Sequence, residues 1–97
     1  MVRKLYRIEK CGQSNSSTGA GFERSLQDAY PEAFRNVFNL RDSEGCLEGY
    51  LVIRDIDDIA VILTDRFASQ LEMIGDLPKI EKLKPVLEER TGYQLQE

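Results

Sequence analysis

Two β-branched runs on either side of a short acidic segment constrain this chain more than any other feature. Tyr50-Leu-Val-Ile53 leads into Arg54-Asp55-Ile56-Asp57-Asp58, and Ile59-Ala-Val-Ile-Leu63 follows. Valine and isoleucine lose side-chain freedom in a helix and pack well on a pleated surface, whereas aspartate favours turns. The pattern therefore predicts strand, tight turn and strand, with three aspartates crowded at one hairpin tip. A helix competes for the second run: Ile59, Ile62, Leu63, Phe67, Leu71 and Ile74 share a helical stripe, with Asp57 or Asp58 as its cap. The strand is preferred because β-branched residues dominate the run and Thr64-Asp65 can cap a helix starting at Arg66.

The flanking segments fill in the order. Val2 to Cys11 shows partial alternation around Leu5, Tyr6 and Ile8, as in a strand with one wet face. Gly12 to Gly21 has the composition of a flexible loop, long for so small a domain. Phe22 to Leu40 has helical spacing, with Pro31 expected to kink the helix or split it in two. Arg41 to Gly45 reads as a turn and Leu47 to Arg54 as a strand. A helix from Arg66 would end at Gly75; a further helix, capped by Asp76 and carrying Pro78 in its first turn, would restart or kink at Pro85 and stop at Gly92. Tyr93-Gln-Leu95 adds a short edge strand. The resulting order, β-α-β-β-α-α-β over residues 1–97, predicts a single α+β domain. Its small, mostly antiparallel sheet would carry helices on one face, as a two-layer sandwich of ferredoxin-like type.

Composition excludes several kinds of chemistry. The chain of 97 residues has no histidine, so the commonest general base, the usual Ser-His and Cys-His pairs and imidazole metal ligands are missing. Its two cysteines, Cys11 and Cys46, fall short of the four ligands of a structural zinc site. No catalytic residue, cofactor or metal is assigned from the sequence. No apolar run approaches the roughly 20 residues that cross a bilayer, and the basic N-terminus lacks the apolar stretch of a secretory signal. The expectation is a cytoplasmic protein without membrane contact.

Charge is polarised. Residues 1–11 carry Arg3, Lys4, Arg7 and Lys10 against Glu9, while residues 42–65 hold Asp42, Glu44, Glu48, Asp55, Asp57, Asp58 and Asp65 against Arg54 alone. The overall charge of −4 and the acidic middle argue against nucleic-acid binding, which needs a broad basic surface. They fit a basic protein partner, or a sheet that lays the basic strand beside the acidic hairpin.

Two groups of candidate residues follow. Asp55, Asp57 and Asp58, with Glu44 and Glu48, form the expected contact surface for a protein partner. The loop residues Ser16, Ser17, Thr18, Gly19 and Gly21, with Arg24, precede a helix, where anions are favoured. They match neither the P-loop nor the dinucleotide glycine spacing. The function expected is a small non-enzymatic interaction or regulatory module, pairing as a homodimer. The alternative is a small ligand or divalent cation held by the 12–21 loop and the central aspartates.

Overall fold

The computed structural model describes residues 1–15, 17–64 and 69–97, with only the backbone described at Glu48 and Thr64. Among the described residues the order is β1 (Val2–Glu9), α1 (Thr18–Ala29), β2 (Arg35–Arg41), β3 (Leu47–Ile56), β4 (Ile59–Thr64), β5 (Gln70–Gly75), α2 (Leu77–Thr91) and β6 (Gln94–Gln96). The strands form one open antiparallel sheet in the order β2-β3-β4-β5-β1-β6. Both helices contribute to one core cluster on a single side of it. The chain is thus α+β with helices on one face, as expected. Its sheet order differs from the ferredoxin-like plan, because the chain spends two additional strands, β2 and β3, in extending the sheet beyond β4.

Strand parity decides what goes where. Ile59, Val61 and Leu63 of β4 are buried beneath the helices, beside Leu71 and Met73 of β5 and Tyr6 and Ile8 of β1. The alternate residues of the same strands point to the helix-free side. Helix α1 delivers Phe22 and Leu26 to the core, and α2 delivers Ile80, Leu83 and Leu87. Phe22 meets Tyr93 edge-on, with ring centroids 5.8 Å apart.

Two expected helices are strands or parts of strands. The stripe read from Phe22 to Leu40 stops at Ala29; Tyr30 caps it by donating its N–H to Leu26 O, and Pro31 disfavours helical backbone at the residue before it. Val37 and Phe38 lie on β2, where pairing with β3 overrides their helical spacing. Likewise Gln70–Gly75 is a strand: Leu71, Met73 and Gly75 are buried in strict alternation, a period the helical stripe through Leu71 and Ile74 concealed. The expected start of that helix, at Arg66, lies outside the described residues.

Other sequence signals are met in part; Asp76 takes the position before α2 but its side chain makes no cap hydrogen bond. The hairpin of β3 and β4 pairs Leu51 to Thr64 through Ile56 to Ile59. Gly92 ends α2 in the left-handed region at φ 75°, a conformation glycine adopts without a Cβ penalty. Pro85 does not restart the helix; α2 runs through it. It sits on the exposed side, so the carbonyl left without a donor faces water. Tyr6 and Tyr93 are buried, whereas Tyr50, out on the ribbon, is exposed.

Gly21 lies inside α1 against the Tyr93 hydroxyl, and a Cβ there would sit 2.2 Å from that oxygen. Alanine would gain about 1 kcal/mol of helix propensity but overpack a fixed ring at about 1–3 kcal/mol. Gly21→Ala is expected to lower the melting temperature, and adding Tyr93→Phe should make the Gly21→Ala loss smaller. Thermal unfolding of the four chains in this double-mutant cycle measures it; equal effects of Gly21→Ala in both backgrounds would contradict the contact.

Candidate interaction surface

The central acids are placed by turn geometry rather than gathered into a site. Asp57 and Asp58 are the two residues between the Ile56–Ile59 pair, and both have positive φ, 51° and 64°. A two-residue hairpin turn of type I′ requires this, and aspartate tolerates it better than most residues. Asp58 pairs with Lys79 of α2 at 3.1 Å. Asp55 projects from β3 on the helix-free side, exposed and without a side-chain partner among the described residues. Glu44 belongs to the other turn, where Asp42 Oδ1 accepts the N–H groups of Glu44 and Cys46, both at 2.9 Å. The ten residues of β3 hold the two turns about 30 Å apart. Glu44 and Asp57 therefore sit at opposite ends of the ribbon, and the Glu48 side chain lies outside what is described. Among the described residues, no three acidic or cysteine side chains are grouped to hold a metal ion.

Nor does the basic first strand lie beside the acidic hairpin. Strand β1 sits between β5 and β6, and its cations take other partners: Arg3 pairs with Glu72, Lys4 with Glu97 and Arg7 with Glu9.

The 12–21 segment is shorter as a loop than its composition suggests. Cys11 and Gly12, both at positive φ, form a tight turn closed by Lys10 N–H to Gln13 O at 2.8 Å and the reciprocal bond at 3.0 Å. Helix α1 already begins at Thr18. Asn15 organises the remainder: its Oδ1 accepts the Ser17 N–H at 2.9 Å and the Ser17 hydroxyl at 2.7 Å, and its own N–H donates to Thr18 Oγ1 at 3.0 Å. Thr18 and Gly19 are buried, Gly21 is committed to Tyr93, and Arg24 is exposed on α1. Ser16 lies outside the described residues. The Ser17 and Thr18 hydroxyls are hydrogen-bonded locally.

The helix-free face carries a different set of residues. Across the strands, Asp55, Ala60, Ile74 and Arg3 stand in one row, and Asn36, Ile53, Ile62, Glu72 and Leu5 in the next. Phe38 and Leu51 follow, then Leu40 beside Gly49. Leu51, Ile53, Ile62 and Ile74 are only partly buried, Phe38 is 45% exposed and Leu5 54% exposed. The centre is thus apolar, with Arg3–Glu72 and Arg7–Glu9 at the β1 margin and Asp55 at the β3 end. The sequence carried a signal for this. Leu51-Val-Ile53 and Ala60-Val-Ile-Leu63 do not alternate, and a strand apolar at both parities has two faces to cover.

The β2–β3 ribbon continues the patch. Phe34 adds exposed apolar surface just before it and Leu47 at its far end, while Val37 and Tyr50 are exposed on the opposite face, the one Arg54 occupies, and neither helix packs more than marginally on β2 or β3. Arg54 anchors the ribbon. Its side chain is fully buried beneath α1, donating to Glu23 Oε1 at 2.6 Å and to Gln27 Oε1 at 3.0 Å. Its Nε finds no partner among the described residues. Glu23 also accepts from Arg35 Nε of β2 at 2.9 Å. Burial alone would raise the Glu23 carboxyl, but hydrogen bonds from Arg35 and Arg54 outweigh it and hold the group below its usual range.

Compared with known proteins, the chain matches no family model, no curated protein and no solved structure.

Because the Glu23 carboxyl is depressed in the folded state, its contribution is present above the ordinary glutamate pKa and is lost as pH falls through the lowered value. Glu23→Ala leaves a buried guanidinium without its counter-charge and is expected to cost about 3 kcal/mol, the low end for such a loss because Glu23 is itself partly exposed. Arg54→Met, which removes the charge and keeps the packing, should cost far less. Urea unfolding across the acidic range checks both; equal costs would show that the pairing contributes little.

Proposed function

We propose that this protein is a non-enzymatic protein-interaction module whose contact surface is the helix-free face of its sheet, extended by the β2–β3 ribbon. The observation that carries this reading is the apolar patch through Phe38, Leu51, Ile53, Ile62 and Ile74, which neither helix covers and which the Arg3–Glu72 pair separates from Leu5. An apolar patch rimmed by charged residues is the anatomy of a protein interface: a dry centre contributes most of the free energy, and a polar margin sets orientation. The acids expected to form the contact take the lesser part. Asp55 stands at the margin of the patch, whereas Asp57, Asp58 and Glu44 occupy the turns beyond it. A chain without histidine also fits a binding task better than acid–base catalysis near neutral pH.

The patch is apolar rather than basic, which suits a protein surface and not a phosphate backbone. No helix among the described residues is long and apolar enough to cross a membrane.

Ile62 and Phe38 face outward, so replacing them leaves the buried core intact. Affinity purification from the native host, comparing the natural chain with Phe38→Asp and Ile62→Lys, is expected to show partners retained by the first and lost from both variants. Circular dichroism should confirm that the variants remain folded. Retention of the same proteins by all three chains would place the contact elsewhere.

A further inference from the structure

We propose that the occupant of the helix-free face is a second copy of this chain, stacked sheet on sheet about a two-fold axis that runs along the strands between β4 and β5. This deepens the preceding reading and rests on it. Three observations on the face favour self-pairing.

The first is charge placement. In the row Asp55, Ala60, Ile74, Arg3, the two ends bear opposite charges and the middle is apolar. A two-fold axis through the centre of that row reverses it onto itself. Asp55 of each copy then faces Arg3 of the other, and Ala60 faces Ile74. The next row places Ile53 over Leu5, apolar on apolar. It also brings Ile62 over Glu72, a carboxylate already paired with Arg3 in its own chain. A guanidinium has five donors, so Arg3 can hold Glu72 and receive Asp55 of the second copy together. Asp55 has no side-chain partner within its own chain among the described residues, and this arrangement supplies one.

The second is size. Six strands at about 4.8 Å spacing, crossed with the roughly 30 Å length of β3, give a face of the same order as the roughly 800 Å² that each partner buries in a standard interface. Aligned sheets pack about 10 Å apart at an angle near −30°, which flat apolar rows of this kind satisfy.

The third is that symmetric pairing through the free edge of β2 is poor. Pairing the free edge of β2 antiparallel with its own copy, centred on Phe38, would set Arg35 opposite Arg41 at both ends. Like charges directly opposite across strands are destabilising.

The test uses the full chain in sedimentation equilibrium over a dilution series. The natural chain is expected to sediment at twice its chain mass and to dissociate on dilution. Asp55→Arg and Arg3→Asp should each raise the dissociation constant by up to ~25-fold, since two symmetric rim pairs are lost at up to about fivefold each. An equal mixture of these two variants should recover much of the affinity, because every Asp55–Arg3 contact in the mixed dimer again joins opposite charges. Ile62→Glu, which sets a carboxylate opposite Glu72 of the second copy, should give a chain that is monomeric in sedimentation and folded by circular dichroism. A natural chain that stays monomeric at every concentration overturns the second copy. So does a dimer indifferent to Ile62→Glu, or one in which the mixture gains nothing over its parents. A monomeric chain that still retains other host proteins through Phe38 and Ile62 would overturn self-pairing and leave the interaction reading standing.

Discussion

Two helices cannot cover six strands, and most of what is distinctive here follows from that shortage. A helix with its side chains is about 10 Å across, whereas six strands at about 4.8 Å span roughly 29 Å. The helix layer therefore closes over β4, β5, β1 and β6, and leaves β2 and much of β3 without a lid. Among the described residues, the other side of the sheet has no covering layer. A chain with 41% hydrophobic residues has enough apolar side chains to fill one core. Here some of them line the second face instead.

Arg54 marks where the helix layer ends. On the buried side of β3 it occupies the position at which a leucine would prolong the core, and its pairing with Glu23 and Gln27 ties the ribbon to α1. A buried ion pair contributes little net stability against an apolar replacement, although removing one partner is costly. Its value in this fold lies in specificity: Glu23 reaches both Arg54 of β3 and Arg35 of β2, so one carboxylate orients two strands relative to the helix layer.

Much of the fold could be read from local chemistry. Proline after α1, glycine after α2 and the paired β-branched runs each mark a boundary by a mechanism that acts within a few residues. The errors arose where two periods fitted the same residues. Val37 and Phe38 continue the stripe of α1, and Leu71 and Ile74 fit a helix; only pairing with β3 and with β1 and β4 decides for strand, and such pairing is not local. The contact surface was harder to read for a different reason. Charged residues draw the eye to Asp55, Asp57 and Asp58, yet two of those three serve the backbone of a turn. The residues that matter for docking, among them Ile53 and Ile62, look like ordinary core until the helices are seen to lie on one side only.

The turn at Asp57 and Asp58 has a consequence for how the chain can vary in length. Side chains alternate along a strand, so one residue added at this turn would shift β3 by a single step against β4. Arg54 would then swing outward, and Ile53 and Asp55 would move beneath α1, placing a carboxylate where the core now begins. The turn at 42–46 lies beyond the helix layer, next to a register shift between Leu40 and Arg41, and no buried side chain depends on its count. Insertions and deletions can therefore accumulate at the far tip of the ribbon, while the near tip stays fixed at two residues.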